Sequence, residues 1–221
     1  NILKNVSLIA CEDTRRARTI MSKFNISNNL ISFNKYNSLN KISKLILDLK
    51  SGKSIALVSD AGMPGICDPG EDLIKETRLE GLEIICIPGP CAVITALVSS
   101  GFPCSSFSFE GFLPKKKIDR EKLLIEISKS SKTIVFFEAP HRLKKSLLEI
   151  KQIFGGDREI VITRELTKKY EQHIGRDVNS VLKFFESNPV KGEFTIVVKG
   201  IKKSKGTDFD KNKLKNELNE L

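Results

Sequence analysis

The stretch ALVSDAGMPGICDPG, Ala56–Gly70, decides the fold. It grows out of a short β-rich apolar run, Ile55–Val58, and feeds a helical pattern, Glu71–Glu80, that Gly81 ends. A strand passing through a loop into a helix is the repeating unit of an α/β layer with a mostly parallel sheet. The loop is longer and more heavily punctuated than a plain strand–helix connection needs. Gly62 and Gly65 allow positive φ or a close backbone approach, while Pro64 and Pro69 stiffen the turn. Exposed amides there can hold a carboxylate, and Asp60 or Asp68 can meet an amine or ribose hydroxyls. The bland alternative is a structural glycine–proline turn.

The same unit recurs on both sides of this stretch. Toward the N-terminus, Val6–Cys11 reads as a buried strand and Thr14–Phe24 as a charged helix that Asp13 or Thr14 can cap. The chain opens inside what reads as the end of a helix. Ile42, Leu45, Ile46 and Leu49 recur at helical spacing, which predicts an amphipathic helix over Asn40–Lys50 closed by Gly52. On the other side come a strand at Ile84–Ile87, the turn Pro88-Gly89-Pro90 and a helix at Ala92–Ser99. The pattern changes after Gly101: Phe102–Lys117 carries Pro103, Gly111, Pro114 and three closing lysines, as a linker would. A second α/β unit follows, with helices near Arg120–Lys129, Arg142–Phe154 and Val178–Phe185 and strands at Thr133–Phe137, Glu159–Thr163 and Phe194–Val198. The expected organisation is an N-terminal α/β domain over residues 1–105, a linker over 106–117, a C-terminal α/β domain over 118–200 and a basic tail over 201–221. The cleft between two such domains is the default ligand site.

Parallel sheets carry their ligand loops at the carboxyl ends of strands. Besides Leu57–Gly70, three further segments fall there. Pro88–Pro90 can bring the first amides of the following helix against an anion. FFEAPHR, Phe136–Arg142, gathers Glu138, His141 and Arg142 beside Pro140, and a cleft-facing His or Glu can take a proton. ITREL, Ile162–Leu166, puts Thr163, Arg164 and Glu165 at another strand end. Near the start, ACEDTRRAR (Ala10–Arg18) places Arg15 and Arg18 on one helix face, where guanidinium groups suit phosphates. The dinucleotide fingerprint G-x-G-x-x-G and the Walker phosphate loop are absent.

The formal charge is +10, from 37 basic against 27 acidic residues, which favours a polyanionic partner without naming one. Part of the excess lies near the end, at Lys199, Lys202, Lys203, Lys205, Lys211, Lys213 and Lys215. Five cysteines, an odd count in mostly apolar surroundings without metal-ligand spacing, read as reduced and partly buried thiols of a cytoplasmic protein. Only two histidines are present and no C-x-x-C, so no metal is expected. The apolar run Ile84–Val98 is too short and too broken by prolines to cross a bilayer, and the start shows no signal-peptide pattern. By residues alone the reading stops at a two-domain α/β protein with a ligand cleft.

The same segments, in order, carry a sharper resemblance: LIACEDTRRAR (Leu8–Arg18), ALVSDAGMPGICDPG (Ala56–Gly70), IPGPCAVITAL (Ile87–Leu97), FEGFLPKK (Phe109–Lys116), FFEAPHRL (Phe136–Leu143), ITRELTKKYE (Ile162–Glu171) and KGEFTIVVKG (Lys191–Gly200). The chain resembles the 16S rRNA cytidine-2′-O-methyltransferases of the tetrapyrrole methylase superfamily. The resemblance implies a homodimer with a mostly parallel sheet in the first domain and a mixed sheet in the second. It implies S-adenosylmethionine as cofactor and 16S rRNA of the small ribosomal subunit as partner. Carried over by position, Asp60, Ala61, Gly62, Met63 and Pro64, with Pro88, Gly89 and Pro90, line the cofactor from the first domain. Phe137, Glu138, Ala139 and Pro140, with Gly192, Glu193, Phe194 and Thr195, approach it from the second. Met63 stands where the motif has threonine. Asp13, Glu138, His141 and Glu165 are the candidates for activating a ribose hydroxyl, and Arg15, Arg18, Lys115, Lys116 and Arg142 those for meeting RNA. A further strand and a TPIGN-like cofactor loop are expected ahead of Asn1. A tetrapyrrole C-methyltransferase and a non-catalytic RNA-binding module are the competing classes.

Overall fold

A computed structural model describes residues 1–202; the expectation of a basic tail lies, beyond Lys202, outside the described residues. The chain divides into two compact units, Asn1–Ala92 and a second from Val93 onward.

In the first unit a short helix α1 (Ile2–Asn5) leads into β1 (Leu8–Cys11) and α2 (Thr14–Lys23). Then come β2 (Leu30–Ser32), α3 (Ser38–Lys50), β3 (Ile55–Val58) and α4 (Glu71–Leu79). The three strands are all parallel, in the order β2-β1-β3, with Ile9 beside Leu30 and Ala56. The apolar stripe of α3 supplies Ile42, Leu45 and Ile46 to a core that also takes Ala10, Phe33 and Leu73. Asp13 starts α2 by accepting the Arg15 backbone N–H, which satisfies one of the donors every helix N-terminus leaves open.

The strand expected at Ile84–Ile87 is not formed. Residues 82–91 have no regular structure, and Ile85 and Ile87 are exposed. Among the described residues β3 pairs only with β1, so this apolar run has no ladder partner; periodicity reports what wants burial, and a strand needs backbone groups to bond as well. Nor are all the cysteines sheltered as expected: Cys86 and Cys104 are exposed, while Cys11 is buried.

Helix α5 (Ala92–Ser99) leads into the second unit, which continues through β4 (Phe107–Phe112), α6 (Lys117–Ser128), β5 (Thr133–Glu138) and α7 (Pro140–Phe154). It closes with β6 (Ile160–Arg164), β7 (Gln172–Ile174), α8 (Val178–Ser187) and β8 (Phe194–Val198). Its sheet, ordered β4-β5-β8-β6-β7, is mixed: β4 and β5 are parallel and the rest antiparallel. Residues 107–112, expected within a linker, form its edge strand. Gly111, at φ +63°, sits in the register shift between Phe109 and Phe112, the bulge that made the segment look irregular. Every residue of β8 is buried, as befits the middle strand, and Phe136, Leu143, Leu147, Ile150, Phe185 and Ile196 fill the core with it. A capping box between Asp177 and Ser180 opens α8.

No helix among the described residues is long and apolar enough to cross a membrane, and no group of three His, Cys, Asp or Glu residues among them is placed to hold a metal ion.

Candidate active site

In the first unit the decisive loop leaves the carboxyl end of β3. The Ser59 hydroxyl donates to the carbonyls of Ala61 and Gly62 and so folds the chain back on itself. Gly62 (φ +80°) and Gly65 (φ +81°) take the left-handed backbone that side chains resist. A methyl group added at Gly62 would lie 3.7 Å from the Pro90 carbonyl oxygen. The DAGMP segment and Pro88–Pro90 are therefore neighbours within the first unit.

The EDTR segment joins them. Asp60 Oδ1 accepts the Asp13 backbone N–H at 3.1 Å, and Asp60 Oδ2 lies 3.5 Å from Arg16 Nε. Asp13 holds Arg15 in a two-pronged pair, with Nη2 to Oδ2 at 2.7 Å. Those charge-assisted bonds hold the Asp13 carboxyl at about 2, well below its ordinary value. Glu12 is pushed the other way, by burial first and then by the charges of Asp68 and Asp60. The Cys11 thiol is raised by burial and by Asp60 and Asp13. Burial is the larger cause of both shifts, and the neighbouring aspartates add to it.

In the second unit, antiparallel register puts Phe137 beside Thr195 and Glu138 beside Phe194, so the two expected cofactor-facing segments are adjacent strand ends. Phe137 packs edge-on to Phe109, with ring centroids 5.1 Å apart. The ITREL and KGE segments are fastened together. Glu165 Oε1 accepts the Glu193 backbone N–H, Lys168 Nζ reaches Glu165 and Glu193, and Arg164 Nε donates to the Lys191 carbonyl. The Glu193 amide, with Lys168, lowers the Glu165 pKa.

Four sequence-chosen residues are turned largely away from solvent: Phe194 and Thr195 are buried with the rest of β8, and Glu138 and Arg142 find their partners inside. Glu138 is buried: Oε2 accepts the Ser146 hydroxyl at 2.5 Å and Oε1 the Ala139 N–H at 2.9 Å. Arg142, expected to meet RNA, points inward. Its Nη2 donates to the Leu113 and Pro114 carbonyls and its Nε lies 3.4 Å from Glu138, so two backbone carbonyls and a buried carboxylate face its donors. His141 is exposed and enters no ion pair among the described residues. Arg15, Arg18, Lys115 and Lys116 are exposed. Sequence reading missed Glu12, Arg120 and Glu149.

The parallel sheet of the first unit and the mixed sheet of the second make up the α/β fold of a methylase. The family described as Tetrapyrrole (Corrin/Porphyrin) Methylases matches residues 1–179, and the chain belongs to it. Over 202 residues it is 45% identical to the ribosomal RNA small subunit methyltransferase I of Vibrio cholerae, covering 90% of this chain and 70% of that one. Over 198 residues it is 45% identical to the protein of the same name from Thermotoga maritima, covering 90% and 88%. Among solved structures, a cobalt precorrin-4 methyltransferase superposes with a TM-score of 0.63 at 14% identity, over 90% of this chain and 85% of that one. A diphthine synthase superposes at 0.64 with 13% identity, over 89% and 81%. The chain is an S-adenosylmethionine-dependent methyltransferase. The first unit's residues fit that cofactor. Ala61 and Gly62 are exposed there, so their backbone groups are open to such a ligand, and the carboxylate of the neighbouring Asp60 is of the right chemistry for an amine or a ribose hydroxyl.

Proposed function

We propose that this protein methylates the 2′-hydroxyl of a cytidine ribose in 16S rRNA of the small ribosomal subunit, as a cytoplasmic homodimer. The observation that carries the reading is the gathering of the EDTR, DAGMP and PGP segments into one wall, through the Asp13–Asp60 bond and the Gly62–Pro90 contact. It occurs in a chain 45% identical to a protein named for ribosomal RNA methylation.

S-adenosylmethionine supplies the electrophilic methyl group. Ala61, Gly62, Met63 and the Pro88–Pro90 turn hold it through backbone groups, and Asp60 through its carboxylate or through the loop it braces. Phe137–Pro140 and Gly192–Thr195 form the second unit's share of the site. Alignment of the bound partners supplies much of the rate, and a ribose hydroxyl needs help in losing its proton. The carboxylates of Asp13 and Glu165 are held low and Glu138 is enclosed, so each is a poor proton acceptor. His141, exposed at the first turn of α7, takes that role. Arg15, Arg18, Lys115 and Lys116 meet phosphates.

Labelled S-adenosylmethionine supplied with 30S subunits lacking the modification is expected to leave one ribose methyl group on a cytidine, mapped by nuclease digestion and mass spectrometry. Label only on a base or on protein, or transfer to a tetrapyrrole carboxylate in preference to subunits, would overturn the reading. Asp60→Ala removes the acceptor that ties β3's loop to the start of α2. It is expected to weaken cofactor affinity about tenfold, equivalent to about 1.4 kcal/mol, by calorimetry. Wild-type affinity would take Asp60 out of the site.

A further inference from the structure

The segment Leu113-Pro114-Lys115 joins β4 to α6 and has no ladder of its own, yet each of its carbonyls accepts a side-chain donor. Arg120 Nη1 donates to the Pro114 and Lys115 carbonyls, both at 2.9 Å. Arg142 Nη2 donates to the Leu113 carbonyl at 2.7 Å and the Pro114 carbonyl at 3.0 Å. Four hydrogen bonds from two guanidiniums thus converge on three consecutive residues. Each arginine is itself anchored by a carboxylate. Glu149 takes Arg120 in a fork, Nε to Oε2 at 2.5 Å and Nη2 to Oε1 at 2.7 Å, with both side chains buried. Glu138 lies behind Arg142, fixed by the Ser146 hydroxyl.

Burying charge is costly, and apolar side chains would hold α6 on α7 as well or better. What apolar side chains cannot do is fix a loop by its carbonyls. The loop so fixed presents a surface: Lys115, Lys116 and Lys117 are consecutive and all exposed, with Phe112 exposed on one flank and Ile118 on the other. Ammonium groups on a loop held by its carbonyls, flanked by the half-exposed Phe112 whose ring also packs on Phe137, suit a phosphate backbone with accessible bases. Lysines on a pre-ordered loop also lose less freedom on binding than lysines on a slack one.

We propose that Arg120 and Arg142, anchored by Glu149 and Glu138, are positioning residues that hold Lys115, Lys116 and Lys117 as a preformed phosphate-binding tip for the RNA substrate. This rests on the reading of RNA as substrate. It moves Arg142 from a residue that touches RNA to one that aims those that do.

The test measures binding of purified 30S subunits across a salt series, with cofactor affinity measured in parallel. Lys115→Ala with Lys116→Ala and Lys117→Ala removes three exposed charges and, with them, the 3.4 Å Lys117–Glu121 pair in the first turn of α6. It is expected to lower 30S affinity at least about tenfold and to reduce the slope of log affinity against log salt by about 2, at roughly 0.7–0.9 per phosphate contact. Arg120→Leu with Glu149→Leu exchanges the buried pair for apolar volume while keeping every lysine of the tip. It is expected to weaken 30S binding at least about threefold, with cofactor affinity unchanged. Arg142→Gln, more accessible and able to keep one donor, gives a smaller loss in the same direction should the double variant not fold. A merely structural role for the pair predicts wild-type affinity and slope in the folded variants, and that result overturns the clamp. A triple-lysine variant that binds like wild type overturns the tip. A wild-type protein that binds no 30S subunit overturns the substrate reading and this inference with it.

Discussion

Replacing Glu149 by alanine is expected to lower the unfolding free energy by about 3–5 kcal/mol, read as a drop in the urea midpoint. The carboxylate takes two guanidinium donors of Arg120, whose side chain is almost wholly enclosed between α6 and α7. That pairing raises the Arg120 pKa and lowers that of Glu149, so both stay charged over the working range. Alanine leaves the guanidinium charged with only the Pro114 and Lys115 carbonyls as acceptors. A buried cation stripped of its counter-ion is among the costliest single-residue defects. The Arg120→Leu, Glu149→Leu pair is expected to recover most of the loss, since the defect is the orphaned charge rather than missing volume. A loss below about 1 kcal/mol for Glu149→Ala would mean that water reaches Arg120 and that the pair behaves as a surface bridge. The sign with pH follows from the direction of the shift. Glu149 is lowered on folding, so its contribution is present above the ordinary carboxylate value and fades as pH falls through its folded value.

The pair also shows where sequence reading ran short. Arg120, Leu124 and Ile127 are spaced i, i+4, i+7 and all are buried, so a charge occupied the apolar stripe of α6 in plain sight. Its partner lay 29 residues on, in another helix, at a distance that local spacing rules do not cover. Elements whose ends coincide with a change of chemistry were legible: Ile55–Val58 stops just before the glycines and prolines begin, and Phe194–Val198 is a β-rich run, apolar but for Thr195, that suits a strand buried on both faces. The short edge elements were not. β2 and β7 have three residues each and take their identity from a neighbour's backbone, through register with β1 and β6. The reverse error at Ile84–Ile87 has the same cause, an apolar pattern with no partner beside it among the described residues.

Much of the candidate site was legible as loops and less of it as roles. Glycine and proline mark backbone shape directly, and the structure brings Gly62 to Pro90 and Phe137 beside Thr195. Ionisable residues are different, because a carboxylate at a strand end can brace a loop or take a proton, and only its partners tell which. Glu138 reads as reactive within FFEAPHR, yet Ser146, Ala139 and Arg142 occupy it. Glu12 went unremarked because its distinction, a carboxyl raised by burial and by Asp68 and Asp60, depends on residues about fifty positions away.

Gly192→Ala is expected to weaken cofactor binding about tenfold while costing only about 1–3 kcal/mol in stability, the range for a residue held in an unfavourable backbone region. Gly192 has φ +97°, and a methyl group there would stand 2.7 Å from Glu165 Cγ and 2.8 Å from its carboxyl carbon. Glu165 cannot swing aside without consequence, since its own backbone is left-handed at φ +51° and its carboxylate receives the Glu193 N–H and Lys168. Displacing it unfastens the ITREL loop from the KGE turn, and with it the Gly192–Thr195 edge we assign to the cofactor. Gly155 separates this effect from simple backbone strain. It has φ +88° with nothing within 4 Å of an added methyl group, so Gly155→Ala carries the strain without the collision. Calorimetry with S-adenosylmethionine should therefore find Gly155→Ala near wild type and Gly192→Ala well below it. Equal affinities in the two variants would show that the Glu165–Glu193 fastening does nothing for the cofactor, leaving the second unit's share of the site to β5 and the start of α7.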